Sequence, residues 1–433
     1  MSQQTDVSIP TLGERTVRSP LPLNTDHDDL IANFVPDAIR VRYNAEINSD
    51  APLPEMLFEK AGPREFIFFE PAKVRAAIIT CGGLCPGLNN VIRSAFRQLN
   101  NYGVPEVWGI RYGYQGLNPA ADAPPVLITS EMVDDIHRDG GSILGSSRGE
   151  QPAPVMVDFL QHRGINVLLT IGGDGTQRGA HEIAVEAQRR GYPLAVAGIP
   201  KTIDNDIMYT SRTFGFSSAV DMARTVLTCA HNEARAYPNG VALVRLMGRD
   251  SGFIAAIATL ASQEVNFVLI PEISFQLEGE NGFLNVLKRR LKARQHALIA
   301  VAEGAGQHLL TDGQREKDAS GNVLHKDIGL YLRDRITAFF KEQKIPISMK
   351  YIDPSYIIRS MPANSEDCWL CDQYARHAVH AAMAGKTDML VGKWNGFIHV
   401  PLPMATASRK KISPESLLWN SVLSATGQPA QLI

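Results

Sequence analysis

Two short stretches concentrate the residues able to do chemistry: Ile171–Ala180 (IGGDGTQRGA) and Pro200–Ile207 (PKTIDNDI). Gly172, Gly173 and Gly175 carry no Cβ, which allows tight turns and close backbone approach to a ligand. Asp174, Asp204 and Asp206 supply three carboxylates, suited to Mg²⁺ or to taking a proton. Backbone donors for phosphate beside such carboxylates are what phosphoryl transfer requires.

Both stretches close apolar runs that read as buried parallel strands, Asn166–Ile171 and Leu194–Ile199. In an open α/β sheet, ligands sit just beyond the carboxyl ends of such strands. A helix from Thr176 to Arg190 points its amide-rich end at the first turn, which favours an anion there. Upstream, Val74–Thr80 reads as a strand, Cys81–Asn90 (CGGLCPGLNN) as a Gly-Pro turn and Asn89–Asn101 as an amphipathic helix. The junctions AAIIT-CGG and VLLT-IGG echo one another as two phosphate-cradling turns of one sheet. Strand Glu106–Ile110, a helix over Ser130–Asp139, the loop Gly140–Gly149 and helix Ala153–Arg163 lie between them.

After Asp206 the alternation continues: helix Ser217–Arg235, strand Gly240–Leu246, helix Ser251–Ser262, strand Asn266–Ile270, helix Gly282–Arg294 and strand His296–Ala302. A polar stretch, Gln307–Lys326, reads as an exposed hairpin or loop. Helix Asp327–Lys344, the segment Ser348–Pro354, helix Asn364–Gly385 and strand Met389–Val391 follow. The expected fold class is α/β: two doubly wound Rossmann-like domains with the active site in the cleft between them, plus an N-terminal extension. The expected boundaries are 1–72 for the extension, 73–215 for a nucleotide-binding domain completed by 358–433, and 216–357 for a sugar-phosphate domain. Glu65–Phe69 is a possible first strand. Residues 1–65 read either as an arm lying on the domain or a neighbouring subunit, or as a partly disordered leader.

Bulk properties exclude several classes. The 433 residues are 44% hydrophobic and 20% charged with a net charge of −2, so neither wholesale disorder nor a nucleic-acid field is expected. No apolar run approaches the roughly 20 residues that span a bilayer. The first ten residues lack a basic region followed by an apolar one, so no secretory signal is expected. Five scattered cysteines suggest reduced thiols and a cytoplasmic location. Cys368-Trp-Leu-Cys371 has metal-type spacing without a second ligand pair and reads as two positions on a helix. A Walker A motif fails because His380 occupies its first glycine position before Gly385-Lys386-Thr387. A dinucleotide GxGxxG fails because Arg178 stands at its third glycine.

GGDGT followed by PKTIDND resembles the phosphofructokinases, and further motifs of that family recur in order from Val74 to Arg359. CGGLCPGLN is similar to the family's first nucleotide turn, GGDAPGMN in the bacterial form, with Leu84 in place of the acidic residue; this puts Gly83 against the nucleotide phosphates. GYQGL puts Tyr114 beside the nucleotide, and GSSRG gives Arg148 to the ATP phosphates, a task suited to a forked, always-charged guanidinium. By the same resemblance Asp174 is the Mg²⁺-associated carboxylate, Gly175 lies at the nucleotide and Thr176 binds phosphate. Asp204 is implied to be the general base that takes the proton of the sugar 1-hydroxyl, with Thr202 and Asp206 binding substrate. Met247, Gly248 and Arg249 reproduce the MGR turn that grips the fructose moiety, Arg249 also stabilising the transferred charge. Glu303 matches an acid that bonds sugar hydroxyls; Arg359, Tyr356 and Lys350 fall at the sugar 6-phosphate. A further phosphate-binding arginine of the bacterial form falls at Gly240 and is absent.

The resemblance implies phosphoryl transfer to fructose 6-phosphate, with Mg²⁺, in a homotetramer or dimer. Two positions bear on the donor. Gly175 leaves room for an ATP α-phosphate where pyrophosphate-dependent relatives carry Asp. Lys201 is shared with the pyrophosphate enzymes, yet plant and protist ATP enzymes combine glycine with lysine, so ATP is expected and Lys201 is assigned to the transferred phosphoryl group. The alternatives are a pyrophosphate-dependent enzyme and, more remotely, a non-catalytic sugar-phosphate sensor on the same fold. No nucleic-acid or membrane partner is expected.

Overall fold

A computed structural model describes residues 6–26, 28–46, 56–310 and 325–433. The chain divides into two compact units. The first comprises Met1–Thr202, Ile207–Gly215 and Met361–Ser408; the second comprises Ile203–Asp206, Phe216–Ser360 and Arg409–Ile433. Arg409–Ile433 therefore falls with the second unit, although the sequence reading carries the first domain on to residue 433.

Five parallel strands form the centre of the first unit, in the spatial order Met389–Lys393, Ala195–Pro200, Val167–Gly172, Arg75–Thr80, Glu106–Ile110. Every residue of Val167–Gly172 and Ala195–Pro200 is buried, as strands covered on both faces must be. Helices Leu88–Tyr102 and Ser365–Met383 pack on each other, as do Ala153–His162 and Asp174–Arg189. From Arg75–Thr80 the chain first adds a strand on one side, then returns to add Val167–Gly172 on the other. That reversal is a topological switch point, where an open α/β sheet binds ligands. The two glycine turns leave these adjacent strands, as the echo between AAIIT-CGG and VLLT-IGG implies.

Antiparallel strands complete this sheet. Phe397–Pro401 returns against Met389–Lys393, and Leu57–Lys60 and Arg40–Arg42 continue outward, so part of the N-terminal segment lies on the first unit as sheet edge. Phe66–Ile67, inside the possible strand Glu65–Phe69, pairs with Val17–Arg18 in a separate two-stranded ribbon. Helix Ser130–Asp139 is shorter than expected: Ser130–Val133 is α-helical, and Ile136–Arg138 is one 3₁₀ turn. Only Val133 and Ile136 are buried there, too narrow an apolar face to hold a longer helix. Cys368 and Cys371 both lie on helix Ser365–Met383.

The second unit carries an all-parallel sheet, in the order Phe267–Leu269, His296–Ala302, Gly240–Leu246, Ser348–Ile352. Helices Phe283–Arg294 and Ile328–Glu342 bury Phe283, Leu287, Ile336 and Phe340 against Val241, Leu243 and Ile299. Phe216–Arg235 packs on the sheet and on Phe253–Ser262, which Leu417–Thr426 also contacts. Of the expected loop Gln307–Lys326, residues 307–310 form a 3₁₀ turn and 311–324 lie outside the described residues. Among the described residues no helix is long and apolar enough to cross a membrane.

A buried charge cluster fastens the N-terminal edge of the first unit. Glu59 accepts from Arg64 at 2.6 Å and lies 2.6 Å from the Lys386 ammonium and 3.2 Å from His399. The Arg64 and Lys386 side chains are only 3% and 4% exposed. Burial pushes the Glu59 carboxyl up, but the His399 ring and the Lys386 ammonium more than reverse this and hold it well below the ordinary range. Such a group contributes stability that is complete above the unfolded carboxylate pKa and is lost as pH falls towards the folded value. Glu59→Gln leaves two buried cations without this counter-charge and should cost about 3 kcal/mol at neutral pH. Thermal or denaturant unfolding checks it: the variant should be less stable at pH 7 and lose less further stability between pH 5 and 3 than the parent. Equal neutral stability would refute the account.

Candidate active site

In the first unit, the turn after Arg75–Thr80 and the start of helix Asp174–Arg189 are tied together by Lys201. Its amide donates to the Gly172 carbonyl at 3.0 Å, and its ammonium, 6% exposed as a residue, donates to the Gly83 carbonyl. A Cβ on Gly82 would lie 3.1 Å from that ammonium, and Gly82 already has φ +83. The loop bearing Arg148 is laid on the same turn: Gly82 N–H donates to the Ser147 carbonyl at 3.0 Å, and the Ser146 hydroxyl donates to the Gly82 carbonyl. Gly83, Lys201, Arg148 and the GGDGT turn therefore belong to one assembly. The Arg148 side chain is exposed.

Gly173 precedes the helix and offers no capping side chain. Asp174 is its first residue and pairs with Arg178 one turn on. Gly175 is exposed; among the described residues, apart from the adjoining helix backbone, a Cβ there would meet only the Arg178 guanidinium, at 3.8 Å. Tyr114 and Thr176 face inward. Tyr114 is 6% exposed, its hydroxyl donates to the Thr176 carbonyl at 2.5 Å, and its ring fills the space above Gly179. Thr176 folds its side chain over Gly172, where a Cβ would come within 2.1 Å of Oγ1. Burial pushes the Tyr114 phenol well above its usual range and the neighbouring Cys81 thiol up to about 12. Both side chains brace the helix start from within.

In the second unit, three strands of the parallel sheet deliver their carboxyl ends to one rim. After Gly240–Leu246 come Met247, 9% exposed, Gly248 with φ +127, and Arg249. The next strand, His296–Ala302, ends in Glu303 and Gly304, whose amides donate to the Leu246 and Gly248 carbonyls at 2.9 and 3.0 Å. A Cβ on Gly304 would sit 1.8 Å from the Arg249 carbonyl, so glycine is required for the two turns to meet. Gly240 leaves no room either: a Cβ would lie 1.9 Å from the Ala234 carbonyl, which explains the absent arginine.

Asp204 docks on this rim. Its Oδ2 accepts from the Arg249 amide at 3.2 Å, and its carbonyl accepts from the Ser251 hydroxyl at 3.2 Å. Burial, then the Asp206 and Glu303 charges, push its carboxyl well above the ordinary range; the Arg249 amide and Arg409 oppose the rise. Glu303 is itself held by Arg245 at 3.1 Å, and Arg245 also reaches Asp353 at 2.7 Å and Asp327 at 3.8 Å. Thr202, on the first unit, gives its carbonyl to the Thr213 hydroxyl at 2.7 Å.

The remaining candidates stand on aromatic supports. Lys350 lies within strand Ser348–Ile352, its ammonium 4.8 Å from the Tyr237 ring centroid. Arg359 stacks on Tyr356 at 4.9 Å on helix Ser355–Ser360, and Tyr356 is 78% exposed. Among the described residues neither cation has an ion-pair partner. Sequence reasoning missed Arg178, Tyr237, Asp250 and Arg409. Arg178 sits one turn after Asp174 on the same helix face, an acid–base spacing readable from sequence; Asp250 directly follows Arg249, and Tyr237 and Arg409 are brought in by the fold. A magnesium ion would find at Asp174 a carboxylate donor, 16% exposed, of the hard oxygen type it takes beside substrate phosphates.

A family model described as Phosphofructokinase matches residues 75–382. The ATP-dependent 6-phosphofructokinase of Borreliella burgdorferi is 47% identical over 441 residues, covering 100% of this chain and 98% of its own. The ATP-dependent 6-phosphofructokinase of Entamoeba histolytica is 46% identical over 375 residues, 86% of this chain and 85% of its own. Among solved structures, the pyrophosphate-dependent phosphofructokinase of Marinobacter aquaeolei superposes with a TM-score of 0.67 at 19% identity, over 82% of this chain and 91% of that one, a likeness of fold. With a family match reaching from the first central strand into helix Ser365–Met383, and identity sustained over the whole length, the chain belongs to the phosphofructokinase family.

Proposed function

We propose that the protein is an ATP-dependent 6-phosphofructokinase, transferring the γ-phosphoryl group of ATP to the 1-hydroxyl of fructose 6-phosphate to give fructose 1,6-bisphosphate and ADP. The observation that carries this reading is full-length identity of 47% to an enzyme of that name. The open Gly175 position supports ATP as donor, since among the described residues, apart from the adjoining helix backbone, a Cβ there would approach only the Arg178 guanidinium. Pyrophosphate is the second reading, favoured by Lys201.

Each group has a role on this reading. The Gly83 turn, Arg148 and the main chain at Gly175 and Thr176 receive the nucleotide phosphates, with Tyr114 bracing the helix start. Asp174 would hold Mg²⁺, which supplies neutralising charge to the transferring phosphoryl group. Lys201 and Arg249 stabilise that charge from the protein. Asp204 accepts the proton of the attacking hydroxyl; its hydrogen bond from the Arg249 amide aims the carboxylate. Met247, Gly248 and Glu303 receive the sugar, Thr202 and Asp206 orient the acceptor, and Lys350, Tyr356 and Arg359 take the 6-phosphate. A homotetramer or dimer, whose neighbours complete the 6-phosphate contacts, and a cytoplasmic location are part of the proposal; five free cysteines support a reducing compartment.

The first test is production of fructose 1,6-bisphosphate from fructose 6-phosphate with Mg²⁺ and either ATP or pyrophosphate. Turnover with ATP alone is expected; turnover with pyrophosphate alone would replace the donor. Asp204→Ser should lower kcat by roughly 10³-fold or more while fructose 6-phosphate still binds, as calorimetry can measure. A near-normal kcat would remove Asp204 from the role of base.

Gly175→Asp should fold normally, because among the described residues its Cβ would make only ordinary van der Waals contact, with the Arg178 guanidinium at 3.8 Å. It should raise the KM for ATP at least about tenfold and change that for fructose 6-phosphate little, since the carboxylate repels phosphate. Unchanged ATP affinity would refute the steric and electrostatic account.

The raised Asp204 pKa sets the pH dependence. A base works only when ionised, so kcat/KM should fall as pH drops through a value well above the usual carboxylate range. Removing a neighbouring negative charge eases ionisation, so Asp206→Asn should shift this acidic limb to lower pH, whatever its effect on the maximum rate. A limb that stays in place would show that Asp206 does not set it.

A further inference from the structure

We infer that Arg409 is a positioning residue for the acceptor side of the site, its guanidinium clamping the carboxylates of Asp206 and Asp250. This deepens the proposed phosphoryl transfer and rests on it. Asp204 is held by two donors, the Arg249 amide and the Ser251 hydroxyl, and Asp250 lies between them in sequence. Asp206 lies on the other partner, two residues beyond Asp204. Two carboxylates on facing segments repel unless a cation stands between them.

Arg409 supplies that cation. Its Nη1 contacts the Asp250 carboxylate and lies 4.0 Å from Asp206 Oδ2. The following residues fasten the same strap. The Lys410 amide donates to the Asp206 carbonyl at 2.8 Å, and the Lys410 ammonium lies 5.3 Å from the Phe253 ring centroid. The Ile412 amide donates to Glu272 Oε1 at 2.9 Å, an oxygen that also accepts from the Gly252 amide at 3.0 Å. Residues 409, 410 and 412 thus attach to both segments that fix Asp204. Side-chain exposures of 26% for Arg409, 12% for Asp206 and 35% for Asp250 put the clamp partly out of water, where charge pairing acts more strongly than on an open surface. Arg409 touches no reacting atom in this scheme. It acts by holding the turn on which the base is aimed, and displacement of about 1 Å at such a group costs on the order of 10²-fold in rate.

The test is steady-state kinetics and thermal melting of the full-length protein and its Arg409→Ala, Arg409→Lys and Asp250→Asn variants, with fructose 6-phosphate and MgATP. Arg409→Ala should lose roughly 30- to 100-fold in kcat. Its KM for ATP should stay within about threefold of the parent's, because the clamp misorients the acceptor and leaves the donor side intact. Arg409→Lys keeps a cation between the carboxylates and should recover at least about tenfold of the loss; Asp250→Asn should fall between parent and Arg409→Ala. A kcat within threefold of the parent in Arg409→Ala overturns the inference. So does an Arg409→Lys variant no faster than Arg409→Ala at equal melting temperature, which marks a purely structural contact. Should Arg409→Ala fail to fold, Arg409→Met, neutral and of similar length, carries the same comparison. An inactive parent protein would instead overturn the proposed function; an active parent with an undiminished Arg409 variant overturns this inference alone.

Discussion

The arrangement depends on one covalent constraint, the shortness of the run Lys201–Asp206. Lys201 and Thr202 belong to the first compact unit, Ile203–Asp206 to the second, and Ile207–Gly215 to the first again. Four residues make the excursion, so a group assigned to the donor and a group assigned to the base lie three residues apart. Extended backbone advances at most about 3.6 Å per residue, which keeps those two positions within about 11 Å whatever else the units do. Such a link works only if each half is held by its own unit. On one side Lys201 is fixed by the Gly172 carbonyl and by its ammonium on Gly83, and Thr202 by Thr213. On the other, Asp204 and Asp206 are fixed by the Arg249 amide, the Ser251 hydroxyl and the Lys410 amide.

Close packing of turns follows from this need for fixity. The rim of the second unit is built from carbonyls and amides of adjacent strand ends, with Gly248 and Gly304 removing the side chains that would keep them apart. Charge is treated in the same way. Glu303 would swing freely at a strand end, but Arg245 holds it, with Asp353 and Asp327 sharing the guanidinium. Burial, joined by the surplus of carboxylates around Asp204, raises its pKa, which suits the proton acceptor of the proposed function.

Much of this was legible in the sequence because it was local. Apolar runs of six or seven residues ending in glycine turns marked the parallel strands; Gly240–Leu246 and His296–Ala302 were placed to the residue. What was missed depends on partners far away in the chain. The strands Arg40–Arg42 and Leu57–Lys60 are short and polar and exist only because Phe397–Pro401 offers them an edge. That hairpin did carry a signal, Asn395-Gly396 between apolar runs, with φ of +43 and +110 in the structure. The sequence puts Tyr114 beside the nucleotide and Thr176 on phosphate without saying which way either side chain points; that is set by Gly179 and Gly172, whose missing Cβ atoms receive them. Arg409 lies more than two hundred residues after Asp206, and a basic run Arg409-Lys410-Lys411 looks in sequence like any solvated face.

The two positions that pull the choice of donor in opposite directions occupy different places on the first unit. Lys201 directs its ammonium to the Gly83 carbonyl, at the turn of the strand beside its neighbour. Gly175 lies in the first turn of helix Asp174–Arg189, where, among the described residues and apart from the adjoining helix backbone, a Cβ would come within 4 Å of Arg178 alone. A cation at the first site neutralises phosphate charge for either donor and excludes neither. A side chain at the second would fill volume and, as Asp, add charge where the proposed function puts the nucleotide. On the proposed function, lysine at 201 is therefore permissive and glycine at 175 selective, and the two sequence features need not conflict because they occupy different places on the first unit.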